Sequence, residues 1–201
     1  MKSREVTIAV IFMFFLLSPI LCSALDFSWG LKGELLFCGF SGGHPKLQDF
    51  TGEDSNGLAA GGFLRISHED ILSLQPELLL SVKGDKFQQK TTNTQVYLTQ
   101  FYLELPVLLA VSFPLPVQGT PTPKIFAGPY LGIHLYSCGS VMDLGLDINP
   151  VDFGVIVGYC VEVNTLFFEL SHSVGLLEVS GDLTYDTHFI AVGVKMSFSP
   201  H

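Results

Sequence analysis

The chain has 201 residues and a formal net charge of −9, with 48% hydrophobic and 14% charged residues, 20 Gly and 17 Phe. That is too apolar and aromatic for a disordered chain, and long enough for one domain. The acidic balance repels nucleic acid and anionic surfaces alike, so no nucleic-acid partner is expected.

Residues 1–24 come first. A short basic region (Lys2, Arg4), an apolar run from Val6 to Leu21 and a small-residue exit at Cys22-Ser23-Ala24 form the pattern of a secretory signal peptide cleaved near Ala24. A membrane anchor is the competing reading, but the run is at the short end for a spanning helix. Leu21 stands where a lipoprotein carries a small residue before its cysteine, which argues against a lipid anchor. One exported domain, 25–201, remains, with 8 basic and 18 acidic residues and a net charge of −10 once Lys2, Arg4 and Glu5 are removed.

Within it, apolar and polar residues alternate with a period of two in segments near 27–38, 58–66, 72–83, 96–113, 124–137, 152–164, 166–177 and 187–198. Such alternation is the signature of strands with two unlike faces. In 72–83, Leu72, Leu74, Pro76, Leu78, Leu80 and Val82 lie opposite the mostly polar Ser73, Gln75, Glu77, Leu79, Ser81 and Lys83. Ten charged residues fall well inside segments: Lys32, Glu34, Arg65, Glu77, Lys83, Glu104, Lys124, Glu162, Glu169 and Lys195. All ten keep the polar parity, and His172 is the ionisable exception on the apolar one. The connections between segments tend to alternate long and short, and they or their borders carry acidic residues including Asp49, Glu53, Asp54, Asp143, Asp147, Asp182 and Asp186. No Asp/Gly spacing there matches a calcium loop.

Two architectures fit eight alternating antiparallel strands behind a signal peptide. One is a soluble lipocalin-like barrel, apolar inside and carrying a small apolar ligand; the other is an outer-membrane up-and-down barrel, apolar outside. Three features favour the membrane barrel. The ten charges divide into five acids and five bases, which suits pairing inside a narrow lumen. Aromatic residues of the apolar parity gather near segment ends (Phe27, Trp29, Phe37, Tyr97, Phe113, Phe153, Phe198), as interfacial girdles require. The last segment ends at Phe198 with no helix after it. Pro76, Pro106 and Pro129 oppose this reading, because a proline inside a closed sheet removes a ladder hydrogen bond and implies a bulge.

The phrases LSLQPELLLSVKG (72–84), QFYLELPVLLAVSF (100–113), FAGPYLGI (126–133) and FFELSHSVGL (167–176) closely resemble recurrent segments of the PorT-like, porin-family outer-membrane β-barrel domain of Bacteroidetes-type bacteria. The family carries prolines at matching places. His172 departs from its pattern, which has an aromatic or small residue there, and Ser199-Pro200-His201 extend past its usual terminal aromatic. The resemblance implies an integral outer-membrane protein, and a secretion role known for one branch does not transfer.

The expected protein is therefore an all-β, eight-stranded antiparallel transmembrane barrel with a narrow or plugged lumen and both termini in the periplasm. Its role is structural, adhesive or accessory to envelope transport. Expected partners are outer-membrane lipid and lipopolysaccharide, the barrel assembly machinery and an envelope or secretion protein. No enzymatic activity, cofactor or metal site is expected. The ten charges are read as a structural lumen network, because unpaired buried charge is costly. Ser171-His172-Ser173 beside Glu169 invites a hydrolase reading, but neighbouring strand residues point to opposite faces. His134 is read as a lumen hydrogen-bonding residue. Cys38, Cys138 and Cys160 allow at most one bridge, with Cys38–Cys138 the pairing considered. Val157→Arg is expected to be costly and Gly158→Ser milder.

Overall fold

A computed structural model describes residues 25–41, 50–53, 55–89, 95–114, 121–139, 149–177 and 184–197. Residues 1–24, expected to be a signal peptide, lie outside them, as do Phe198, the tail 199–201, Asp49, Asp54, Asp143, Asp147 and Asp182. The described elements are all strands: β1 (Leu25–Ser41), β2 (Phe50–Glu53), β3 (Ser55–His68), β4 (Leu72–Gln89), β5 (Gln95–Ser112), β6 (Thr122–Cys138), β7 (Val151–Val163), β8 (Leu166–Gly175) and β9 (Thr184–Ser197). All pairings are antiparallel, the order is β2-β4-β3-β1-β9-β8-β7-β6-β5, and β5 returns to β4 to close the sheet. β2 shares β4 with β3, pairing Phe50 with Gln89 and Glu53 with Lys86, so it continues the line of β3 past Cys38–Ser55, the last pair of β1 with β3. The wall therefore has eight staves.

The register fixes the shape. Stepping across the ladder from Phe27 leads to Ile66, Leu74, Leu109, Ala127, Val157, His172 and His188, and arrives back on β1 at Phe37. The circuit returns ten residues further along the strand it left. For eight strands that stagger corresponds to a tilt of about 40° and a backbone radius of about 8 Å. Side chains can fill such an interior completely.

Tight turns mark one end. Glu69 and Asp70 both have positive φ (51° and 56°) between His68 and Ile71, as a two-residue hairpin turn demands, and Asn164 (55°) does the same between β7 and β8. Short turns belong to the periplasmic end of such barrels. At the other end the strands run further than the hydrophobic alternation reaches. Much of 84–95, expected as a long connection, is strand: β4 continues to Gln89, β5 begins at Gln95, and Gln88 pairs with Gln95. Beyond the apolar belt nothing selects a greasy face, so ladder pairing persists without the pattern that announces it.

The prolines sit where the ladder breaks. Pairing of β3 with β4 lapses between Phe63–Glu77 and Ile66–Leu74, at Pro76; that of β4 with β5 lapses between Pro76–Val107 and Leu79–Glu104, at Pro106. That of β5 with β6 lapses between Pro106–Tyr130 and Leu109–Ala127, at Pro129. The missing donors thus fall in one staircase across three adjacent interfaces. A separate register shift at Phe101/Tyr102 opposite His134–Tyr136 leaves both Leu135 and Tyr136 exposed outside.

Inside, aromatic rings lie over glycines directly opposite them on the neighbouring strand: Phe63 over Gly30, Phe126 over Gly158, Phe167 over Gly193 and Tyr130 over Gly154. A Cβ at any of these glycines would run into the ring. The glycines clear the space that lets bulky side chains enter a narrow cylinder, and Phe63 and Phe167 meet edge to face at 5.4 Å.

Candidate functional site

The two faces of the wall divide cleanly. Leu78, Val107 and Val157 are 53%, 41% and 49% exposed, whereas Glu77, Glu104 and Glu162 on the same three strands are 5%, 8% and 6% exposed. The outside presents Leu31, Leu35, Leu58, Leu64, Leu80, Leu109 and many more large apolar side chains. Water tolerates contiguous apolar patches of only a few hundred Å² on a monomer. A soluble carrier would hold these residues inward, so this cylinder is built for hydrocarbon. Phe27, Phe37, Tyr97, Phe113 and Phe153 are exposed on its outer surface, and Trp29 is half-buried.

The ten charged residues singled out above all make ion pairs within the cylinder, in three cages. In the first, near the tight turns, the carboxylate of Glu162 takes Arg65 Nη1 and Lys124 Nζ on Oε2, each at 2.6 Å, and Lys195 on Oε1. In the second, Lys32 Nζ reaches Glu34 at 2.8 Å, Glu77 at 2.7 Å and Glu169 at 3.2 Å. In the third, Lys83 Nζ lies 2.8 Å from Glu104 and 3.6 Å from Asp152. Ser81 donates to Glu104 at 2.9 Å, and the Tyr130 hydroxyl donates to Asp152. Gln75 joins the first two cages, accepting from Arg65 Nε at 2.7 Å and donating to Glu77 at 2.6 Å.

Each cage is lopsided. Glu162 faces three cations, Lys32 faces three carboxylates and Lys83 faces two. Among the described residues Asp152 joins the five acids of that set, so six inward acids face five bases. It lies on the polar parity, but at the very start of β7, where it reads as part of the acidic connection. Tyr130 and Gln75 are neutral and carry no charge signal in the sequence that would mark them as members of the cages.

Aromatic rings fill much of the remaining interior. Lys83 Nζ stands 5.0 Å from the Tyr102 ring centroid and 5.8 Å from that of Tyr130. Beside the central cages a void of about 10 Å³ is lined by Lys32, Glu34, Glu77, Lys83 and Glu104 among others, and a second of about 10 Å³ lies between Arg65, Lys124 and Glu169. Each has room for about one water molecule.

The other candidates are placed as follows. Ser173 is buried in the wall's interior, where its hydroxyl donates to the Thr187 carbonyl at 3.4 Å; Ser171 shares its parity, and His172 takes the opposite, outward one. The three therefore assemble no nucleophile–base pair. His134 Nε2 hydrogen-bonds the Ser137 hydroxyl, and its ring meets Tyr102 edge to face at 5.3 Å. Cys38, Cys138 and Cys160 are in no disulfide, so the Cys38–Cys138 bridge is not formed: the two lie on β1 and β6, which are not neighbours in the sheet.

Comparison with known proteins agrees with this geometry. The chain superposes on the outer membrane protein OprG of Pseudomonas aeruginosa with a TM-score of 0.61 at 9% identity, covering 88% of this chain and 97% of OprG. That likeness concerns the fold. Neisserial surface protein A is also similar (TM-score 0.49, 12% identity, 88% of this chain and 100% of that one). No curated protein matches the chain in sequence. The family described as outer membrane protein beta-barrel domain matches residues 23–181. With apolar side chains outside and caged charges within, this chain belongs to that outer-membrane β-barrel family and resides in the cell outer membrane.

Proposed function

We propose that this barrel is a sealed, non-conducting and non-catalytic member of its family, acting through its surfaces in a structural, adhesive or envelope-transport accessory role. The carrying observation is the filled interior. The two voids beside the ion cages and the aromatic–glycine pairs hold about 10 Å³ each, far too little for a solute to pass there. In this reading the ten charges hold the staves together. Breaking a buried cage strands an uncompensated charge, which is strongly destabilising.

With the inside occupied, the remaining working surfaces are the hydrocarbon-facing wall and the strand ends beyond it. β2, β4 and β5 form a three-stranded ladder there, through Phe50–Gln89 and Gln88–Gln95. Such a projecting platform suits contact with lipopolysaccharide or an envelope or secretion protein. Insertion would depend on the barrel assembly machinery. The QPELL, YLELP and AGPYLG phrases support a place near the PorT-like branch.

Planar-bilayer recording of the purified full chain tests the sealed reading. A flat trace at high protein load is the expected result. Reproducible unitary steps, lost when the protein is heat-unfolded beforehand, would overturn it.

A further inference from the structure

The outer wall carries one pair of side chains that a lipid-facing surface does not explain. His172 on β8 and His188 on β9 are direct register partners, both on the outward parity, and their rings stack with centroids 4.4 Å apart and planes 29° from parallel. Around them the same face is apolar: Leu170 and Val174 flank His172 along β8, Ile190 follows His188, and Val157 and Phe37 are the register neighbours on the strands to either side. Ionisable groups in such surroundings are expensive, and where they occur they mark a site.

We infer that His172 and His188 form a two-imidazole site for a borderline divalent transition-metal ion such as Zn²⁺ or Cu²⁺. The chemistry of the pair supports this. A neutral imidazole offers one nitrogen lone pair, and this class of ion favours such nitrogens over carboxylate or water. Residues directly opposed on antiparallel strands hold their Cβ atoms about 4.5–5.5 Å apart. Two nitrogens bound at about 2.0–2.1 Å in a tetrahedral arrangement stand roughly 3.3 Å from one another, a separation within reach of facing side chains, and binding would turn both rings out of the stack about their side-chain torsions so that each plane contains the ion.

Among the described residues no group of three His, Cys, Asp or Glu side chains gathers to hold a metal. By register His188 is one step from Phe37 of the interfacial aromatic residues, so the remaining coordination positions face that membrane interface, with its water and lipid phosphate oxygens. An open two-nitrogen site of this kind binds reversibly and can tie the wall to a headgroup through the shared ion.

Cu²⁺ titration of the full chain, folded in phosphocholine vesicles and followed by electron paramagnetic resonance, tests the site. The parent should bind copper with hyperfine structure from two imidazole nitrogens. His188→Ala and His172→Gln should each weaken binding at least about tenfold and remove that signature, while His68→Ala leaves both unchanged. Folding of each variant is read from its heat-dependent shift on an SDS gel. If His172→Gln does not fold, His188→Ala, at an exposed position, decides alone. No copper bound by the parent, or a two-nitrogen signal that survives the folded histidine variants, would overturn the assignment.

Discussion

The ring of Phe126 occupies the space above Gly158, its register partner across the β6–β7 interface. A Cβ added at Gly158 would enter that ring on one side and come within 2.6 Å of Ser171 Cβ, its partner across the β7–β8 interface, on the other. Gly158→Ser, mild if only the polarity of the face mattered, should therefore destabilise the barrel by about 2–3 kcal/mol through overpacking. Urea unfolding in detergent micelles checks this. Phe126→Leu should recover part of the loss in the double variant, and a loss unchanged by Phe126→Leu would show that the ring is not the obstacle.

Val157, one residue away, tests the opposite face. Its side chain points into hydrocarbon, and an arginine there should cost about 2–4 kcal/mol, as charges near a bilayer midplane do. Equilibrium unfolding in lipid vesicles measures it. Together the two variants make a sharper statement than alternation alone: both faces at 157–158 resist change, one because it is greasy and the other because it is full.

The period-two alternation was enough to place the staves and to turn every one of the ten charges inward, because a bilayer outside and a narrow cylinder inside give each strand two chemically opposed faces. It could not show how the charges group. Lys32 collects carboxylates from β1, β4 and β8, a set that depends on the ten-residue stagger and not on any sequence spacing. The aromatic–glycine pairs were equally hidden, since each needs the register between two strands. His188 lies at the edge of its segment, where the alternation is weakest, and its partnership with His172 appears only once β8 and β9 are aligned.

The cage around Glu162 yields a prediction with an internal control. Glu162→Gln removes the one carboxylate that Arg65, Lys124 and Lys195 share, leaving three cations together inside the wall. The cost should be about 3–5 kcal/mol, as for other buried pairs broken from one side. Lys195 is the least buried of the three, and Lys195→Met keeps two cations on the carboxylate, so it should cost about 1 kcal/mol or less. Urea midpoints in one detergent rank the two variants. Equal losses would mean that the cage does not act as a unit.

The proline staircase leads to a prediction about dynamics. Pro76, Pro106 and Pro129 donate no hydrogen bond, and the pairing on β3–β4, β4–β5 and β5–β6 lapses beside each of them. The β7–β8 and β8–β9 ladders, by contrast, run without a break from Gly154–Gly175 to Val163–Leu166 and from Leu166–Val194 to Val174–Asp186. In hydrocarbon an unpaired backbone group has no water to turn to, so local opening should start where bonds are already missing. Amide exchange followed by NMR in micelles should show Leu78, Val107 and Leu108 exchanging faster than Val157, Tyr159 and Leu170, although all six lie well inside their strands. Pro129→Ala restores a donor opposite β5 and should slow exchange at Val107 and Leu108 while leaving Leu170 unaffected. Uniform protection around the whole cylinder would mean that the staircase costs the wall nothing, and that the lapses are closed by carbonyl groups tilting toward other partners.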